Sequence, residues 1–218
     1  MTDNSANNKR IAINTILLYI RMLFTMVISL YTSRVILQVL GADDFGIYNV
    51  VGGVVVLFSF LTNAMTSSTQ RFLNYNFGLK NESKVSHIFN VSILTHFTIF
   101  LLVLLLSETV GLWFVMTQLN IPVGRETATM WVYQMSVVTT LIGIMVIPYR
   151  ASIIAAERMS IFAYVSILEV ALKLVVVLVL SYMSFDNLVM YSILLTLVAM
   201  LNFFIYQIEC RRKLSFTK

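Results

Sequence analysis

Apolar residues in this chain run in long blocks, separated by short polar or glycine-bearing segments. Six blocks reach membrane-spanning length, over 11–40, 45–75, 85–116, 127–155, 160–183 and 188–208. A helix needs roughly 20 apolar residues to cross a hydrocarbon core about 30 Å thick. The pattern therefore predicts an all-α fold: a polytopic membrane protein forming a six-transmembrane-helix bundle over 11–208. A polar tail over 1–10 precedes the bundle and a basic tail over 209–218 follows it. At about 1.5 Å per residue the first helix would be about 45 Å long, so it must tilt or protrude into water. Gly41-Ala42-Asp43-Asp44-Phe45-Gly46 predicts a tight turn between the first two spans. The polar stretch Thr2–Asn8 is expected to fray.

The informative positions are the hydrophilic residues inside the apolar blocks. At 100° per residue, Asn14, Arg21, Thr25 and Thr32 fall within about 20° of one meridian of the first helix. An arginine deep in a bilayer costs about 2.5–3.5 kcal/mol on insertion scales. Arg21 should therefore face protein or a wet cavity, or else snorkel to lipid phosphate. In the second span Asn49, Gly52, Ser59, Asn63, Ser67, Gln70 and Asn74 lie within about 40° of Asn63. Such a seam suits a wetted wall; small and amide residues also pack membrane helices together. The fourth span carries Thr129, Ser136, Thr140 and Gly143 on one face, with Arg150 near its end and Pro148 expected to kink it. In the fifth, Glu169 and Lys173 stand four apart on one face, either as a self-neutralising pair or as a switchable one. In the switchable case Lys173 meets a substrate anion, or Glu169 a cation or proton. His87 and His96 point to opposite sides of the third span and cannot share a metal. Glu108 is expected near that span's outer end.

Composition sharpens this picture. The 218 residues are 59% hydrophobic and 11% charged, with a mean hydropathy of +0.87. Soluble domains are roughly 45–50% apolar and about 25% charged, so lipid must cover the excess apolar surface. The net charge of +5 does not point to nucleic acid, because most basic residues lie between apolar blocks. With the N-terminus inside, the inner segments hold Lys9, Arg10, Arg71, Lys80, Lys84, Arg150, Arg158, Arg211, Arg212, Lys213 and Lys218, which is eleven of the 15 Lys and Arg. The positive-inside rule therefore puts both termini in the cytoplasm. Asp43, Asp44 and Asp186 fall in outer loops.

The single cysteine, Cys210, excludes an intramolecular disulfide; beside Arg211 and Arg212 it is either a spectator thiol or a palmitoylation site. The first apolar block is too long for a cleavable signal and should remain as an anchor. No motif for a metal, a phosphate loop or a catalytic carboxylate or serine is found, so neither a cofactor nor an enzymatic activity is expected.

Two stretches carry a family likeness. Arg34, Gly41 and Phe45-Gly46-Ile47-Tyr48 precede the glycine-bearing second span and Gln70-Arg71-Phe72-Leu73. Pro148-Tyr149-Arg150 and Ala155-Ala156-Glu157-Arg158 mark the junction of the fourth and fifth spans. Together they resemble bacterial O-antigen and polysaccharide flippases of the multidrug, oligosaccharidyl-lipid and polysaccharide exporter superfamily. Members have two six-helix lobes around a cavity that faces alternate sides of the membrane. The chain is similar to the N-terminal lobe alone, which implies a truncated chain lacking its second lobe, or self-association in its place.

The resemblance implies an undecaprenyl-pyrophosphate-linked oligosaccharide as partner within the lipid bilayer of the bacterial inner membrane. Arg21 and Lys173 would then meet the pyrophosphate, and Asn14, Thr25, Asn63, Ser67 and Gln70 would serve as further substrate-binding residues, with Glu169 the ion-coupling candidate. The competing expectations are a cation or drug antiporter of the same superfamily, a membrane-embedded transferase and a non-transporting membrane fragment.

Overall fold

The computed structural model describes residues 2–57, 60–79, 81–183 and 185–214; the side chains of 1–11, 58–64 and 82 lie outside the description. The fold is all-helical, with no strand among the described residues. Helix α1 is Thr2–Val56, α2 Phe60–Gly78 and α3 Glu82–Leu106, which continues through a π-turn at Ser107–Gly111 into α4, Leu112–Thr117. Then come α5 (Glu126–Ala155), α6 (Met159–Leu180) and α7 (Asn187–Lys213). Among the described residues five helices are long and apolar enough to span a membrane: Ala12–Val56, Ser83–Thr117, Glu126–Ala155, Met159–Leu180 and Asn187–Lys213. Large apolar side chains such as Leu23, Val27, Leu94, Leu105 and Tyr164 face outward around a buried core. The chain is a multi-pass helical membrane protein, because only lipid makes such a surface stable.

Four predicted spans match α3–α4, α5, α6 and α7 within a few residues. The first two differ. Helix α1 has one non-helical residue, Gly41, at φ 77° and ψ 172°. An L side chain rarely adopts that φ, so glycine is the residue that allows the change of direction. The contacts show that this change is a reversal. On the first limb Arg21 lies beside Ser166, and the carbonyl of Val39 accepts from Asn187 at 3.5 Å. On the second limb Asp44 meets Arg125, and the Tyr48 ring packs on Tyr191 at 4.9 Å between centroids. The expected six-residue turn over 41–46 therefore contracts to one glycine. The second predicted span divides between the second limb of α1 and α2, with 58–59 outside the description. Segment α2 holds so many Asn, Ser, Thr and Gln that it falls below the apolarity of a free-standing span, and this is why five helices qualify rather than six. The polar stretch after Met1, expected to fray, is helical from Thr2.

Helices α5 and α7 run parallel, and one register holds over their length. Arg125 meets Asp186, the Met135 carbonyl accepts from Thr196 Oγ1 and the Tyr149 carbonyl accepts from Cys210 Sγ, each pair 61 residues apart. Thr139 and Thr196 share a hydroxyl hydrogen bond of 2.9 Å in the same seam. Helix α3 runs antiparallel to α5, with Phe89 edge-on to Tyr149 near one end and Ser107 at Tyr133 further along. Helix α6 runs antiparallel to α7 and carries the first limb of α1 on its outer side. Helix α2 packs on α3 and α5, on the other flank. Helix α5 continues through Pro148, whose carbonyl accepts from Ser152 Oγ at 2.8 Å.

The Gly41 end is closed by a three-segment clasp. Arg125, at the cap of α5, donates from Nε to Asp44 Oδ1 at 2.9 Å, from Nη2 to Asp44 Oδ2 and from Nη1 to Asp186 Oδ2. Asp186 caps α7 by accepting from the backbone N–H groups of Leu188 at 3.0 Å and Val189 at 3.3 Å. The hydrogen bonds to Asp44 hold the Arg125 guanidinium above its usual range, so it remains charged. Asp44 is only 8% exposed and would lose its cation if Arg125 were truncated. Arg125→Ala should therefore lower stability by about 1–3 kcal/mol, read as an earlier midpoint of denaturant unfolding in detergent micelles. A midpoint equal to wild type would show that the clasp contributes nothing.

Candidate functional site

Helix α6 presents Phe162, Ser166, Glu169 and Lys173 at spacings of 4, 3 and 4 residues. That pattern keeps all four on one stripe, with Lys173 about 10 Å along the axis from Ser166. The first limb of α1 brings Arg21 onto this stripe. Its guanidinium carbon lies 4.5 Å from the centre of the Phe162 ring, a cation–π contact. Its Nη1 donates to Ser166 Oγ at 3.5 Å. Arg21 Nε is buried and has no hydrogen-bond partner among the described residues. Helix α7 supplies Asn202 and Tyr206, one turn apart. Tyr206 lies within electrostatic range of Ser166, Arg21, Glu169 and Arg150.

Glu169 is held from two sides. Lys173 Nζ donates to its Oε1 at 2.6 Å, and Asn202 Nδ2 donates to its Oε2 at 2.6 Å. Both oxygens are thus engaged, and the carboxylate is tethered between α6 and α7. The stripe carries two cations, Arg21 and Lys173, against one carboxylate. Lys173 is 44% exposed and Glu169 32%, so the pair sits at the edge of the packed interior. A charge at membrane depth costs least when paired and hydrogen-bonded, which Glu169 achieves and Arg21 achieves only in part.

The structure distributes the predicted site residues unevenly. Arg21, Glu169 and Lys173 join one cluster. Asn14 is half-buried on the same limb as Arg21, and Thr25 turns back to donate to its own helix, to the Met22 carbonyl at 3.0 Å. Ser67 and Gln70 belong to the other flank: Ser67 is exposed, and Gln70 lines an opening of about 690 Å³ with Asn74, Phe77 and the residues 154–159 of the α5–α6 junction. The side chain of Asn63 lies outside the described residues. The α2 seam and the Arg21 stripe therefore form two polar regions on different flanks of α5. Among the described residues α2 packs on α3 and α5, while the first limb of α1 meets α6 through Arg21.

Sequence reasoning missed Phe162, Ser166, Asn202 and Tyr206. The signal was present. The 4-3-4 spacing on α6 and the i,i+4 pair on α7 use the same wheel arithmetic that exposed the α1 seam. Two other expectations resolve plainly. Cys210 is fully buried with its thiol on the Tyr149 carbonyl at 3.3 Å, a packed thiol rather than a surface acceptor for a lipid. His96 is fully buried and His87 exposed, in keeping with their opposite directions.

Comparison of the chain with protein families, with curated proteins and with solved structures finds no match.

The cluster makes a measurable claim. Removing Glu169 alone leaves Arg21 and Lys173 without a counter-charge, whereas removing Glu169 and Lys173 together leaves one cation. In a double-mutant cycle with Glu169→Gln and Lys173→Met, the double variant should be more stable than the sum of the singles by about 1 kcal/mol, measured as unfolding free energy in micelles. Strict additivity would mean that the pair is not coupled.

Proposed function

We propose that the chain is a six-crossing lobe of an exporter that carries an undecaprenyl-pyrophosphate-linked oligosaccharide across the bacterial inner membrane. In this reading α1 contributes its first limb as one crossing, and its second limb with α2 forms the next. The basic ends at Arg71, Lys84, Arg158, Arg211 and Arg212 then face the cytoplasm, as the positive-inside rule requires. The observation that carries the proposal is the α6 stripe, where two cations, Arg21 and Lys173, stand beside one carboxylate inside membrane-spanning helices.

A pyrophosphate is a compact polyanion, best recognised by charge-assisted hydrogen bonds. Arg21 offers a buried Nε donor that no described group accepts from, beside an Nη1 held only by a long bond to Ser166. Lys173 can turn toward an anion while Asn202 keeps one oxygen of Glu169 hydrogen-bonded. The anion would then take the place of Glu169 as the partner of Lys173. The prenyl chain stays among the acyl chains of the bilayer. The glycan needs hydroxyl-bonding amides, of the kind that Gln70 and Asn74 present at the opening beside the α5–α6 junction. A cation antiporter would need a free carboxylate on the stripe, and both oxygens of Glu169 are engaged.

Binding to undecaprenyl pyrophosphate, measured by native mass spectrometry of the purified chain, tests the reading. Undecaprenyl alcohol serves as the uncharged control. Arg21→Ala and Lys173→Ala should each weaken binding of the pyrophosphate lipid by about tenfold or more, the loss of one hydrogen bond to a charged group. The alcohol should bind equally to all three proteins. Equal affinity of wild type and both variants for the pyrophosphate lipid would remove the stripe from substrate recognition.

A further inference from the structure

A second charged group lies within a membrane-spanning helix, and the stripe of α6 does not account for it. Glu108 belongs to the π-turn Ser107–Gly111 between α3 and α4. The sequence places it near the outer end of its span. In the structure it stands opposite Gln134, nine residues into the bundle from Arg125, about 13 Å along α5. Within such a span a carboxylate calls for a cation. Among the described residues no lysine, arginine or histidine lies within ion-pair distance of Glu108. Its partner is neutral: Gln134 Nε2 donates to Glu108 Oε2 at 3.2 Å. Tyr133 lies within electrostatic range of it and adds no positive charge.

The neighbouring oxygens complete the picture. Ser107 is fully buried, and its Oγ has no hydrogen-bond partner among the described residues. Its carbonyl accepts from Tyr133 Oη at 2.5 Å. Two adjacent residues of the π-turn are thus cross-linked to two adjacent residues of α5, which sets the Glu108 carboxylate, the Ser107 hydroxyl and carbonyl and the Gln134 amide on neighbouring positions of one seam. A π-turn is an uncommon local fold that recurs at functional positions, because the extra residue widens the helix and redirects its polar groups. Glu108 itself is only partly covered, which leaves a way in from the flank of the α3–α5 seam.

We propose that Ser107, Glu108 and Gln134 bind a small monovalent cation, sodium in particular. One carboxylate balances one positive charge, and hard oxygen donors are the ligands such an ion takes. A calcium ion would call for more carboxylates than this patch holds. The unsatisfied hydroxyl of Ser107 separates an ion site from a simple protonated carboxyl, which would need no further oxygen. The site stands apart from Arg21 and Lys173, since α3 packs against α5 and not against the α6 stripe. The inference therefore does not rest on the exporter reading, and either can fail alone.

A ligand that binds the folded protein stabilises it in proportion to the logarithm of one plus its concentration divided by its dissociation constant, which raises the unfolding temperature. The purified chain in micelles is titrated with sodium chloride at constant ionic strength against choline chloride, and with potassium chloride in parallel. Sodium should raise the unfolding temperature above choline, logarithmically once its concentration passes the dissociation constant. Glu108→Gln should abolish the rise, and Ser107→Ala should shift its onset to about tenfold higher sodium, the loss of one ligand. Should Glu108→Gln fail to fold, Ser107→Ala and Gln134→Ala carry the test, and a sodium response unchanged in both would overturn the proposal. So would an unfolding temperature indifferent to sodium, a rise that survives Glu108→Gln, or a response to pH alone, which would make Glu108 a proton site.

Discussion

The bundle is registered from one end. Arg125 is the common partner of Asp44, just beyond the reversal of α1, and Asp186, at the cap of α7. A guanidinium with its fixed fork of donors can hold two carboxylates in one geometry, which a flexible ammonium does less well. Once the starts of α5 and α7 are joined at that point, their side chains meet at a constant separation along the chain down to Tyr149 and Cys210. That register decides what α7 presents to α6. It sets Asn202 beside Glu169 and Tyr206 beside Ser166, and so assembles the charged stripe far from the clasp.

Most of the architecture was legible in the sequence, for a physical reason. Lipid imposes a length and an apolarity on any segment that crosses it, and the blocks that become α3–α4, α5, α6 and α7 satisfy both. The second span was harder to read. From Asn63 to Asn74 the chain trades apolar residues for amides and hydroxyls, so the segment takes its stability from α3 and α5 rather than from lipid. One of its bonds to α3 is buried, from Thr69 to Ser92 at 3.2 Å.

The site residues were legible by helix and not by neighbourhood. Wheel arithmetic finds which residues of one helix share a face, and it identified Arg21, the α2 seam and the Glu169–Lys173 pair. It cannot tell which faces look at each other. The structure turns the Arg21 seam toward α6 and the α2 seam toward the end of α5, so two polar stripes that looked alike on paper acquire different company. Arg21 gains an aromatic ring and a hydroxyl, while Gln70 and Asn74 border an opening. The contrast follows from charge. An arginine needs partners wherever it is buried, whereas an amide at the edge of a bundle is content with water.

The lone sulfhydryl is also informative for handling the molecule. Cys210 is sealed between α7 and α5, with its hydrogen directed at a backbone carbonyl. Maleimides and spin labels have no route to it while the fold is intact. The natural chain therefore serves as its own background for site-directed probes: a cysteine introduced beside Arg21 or Glu108 would be the only one to react, and distances across the bilayer could be mapped without altering any other residue.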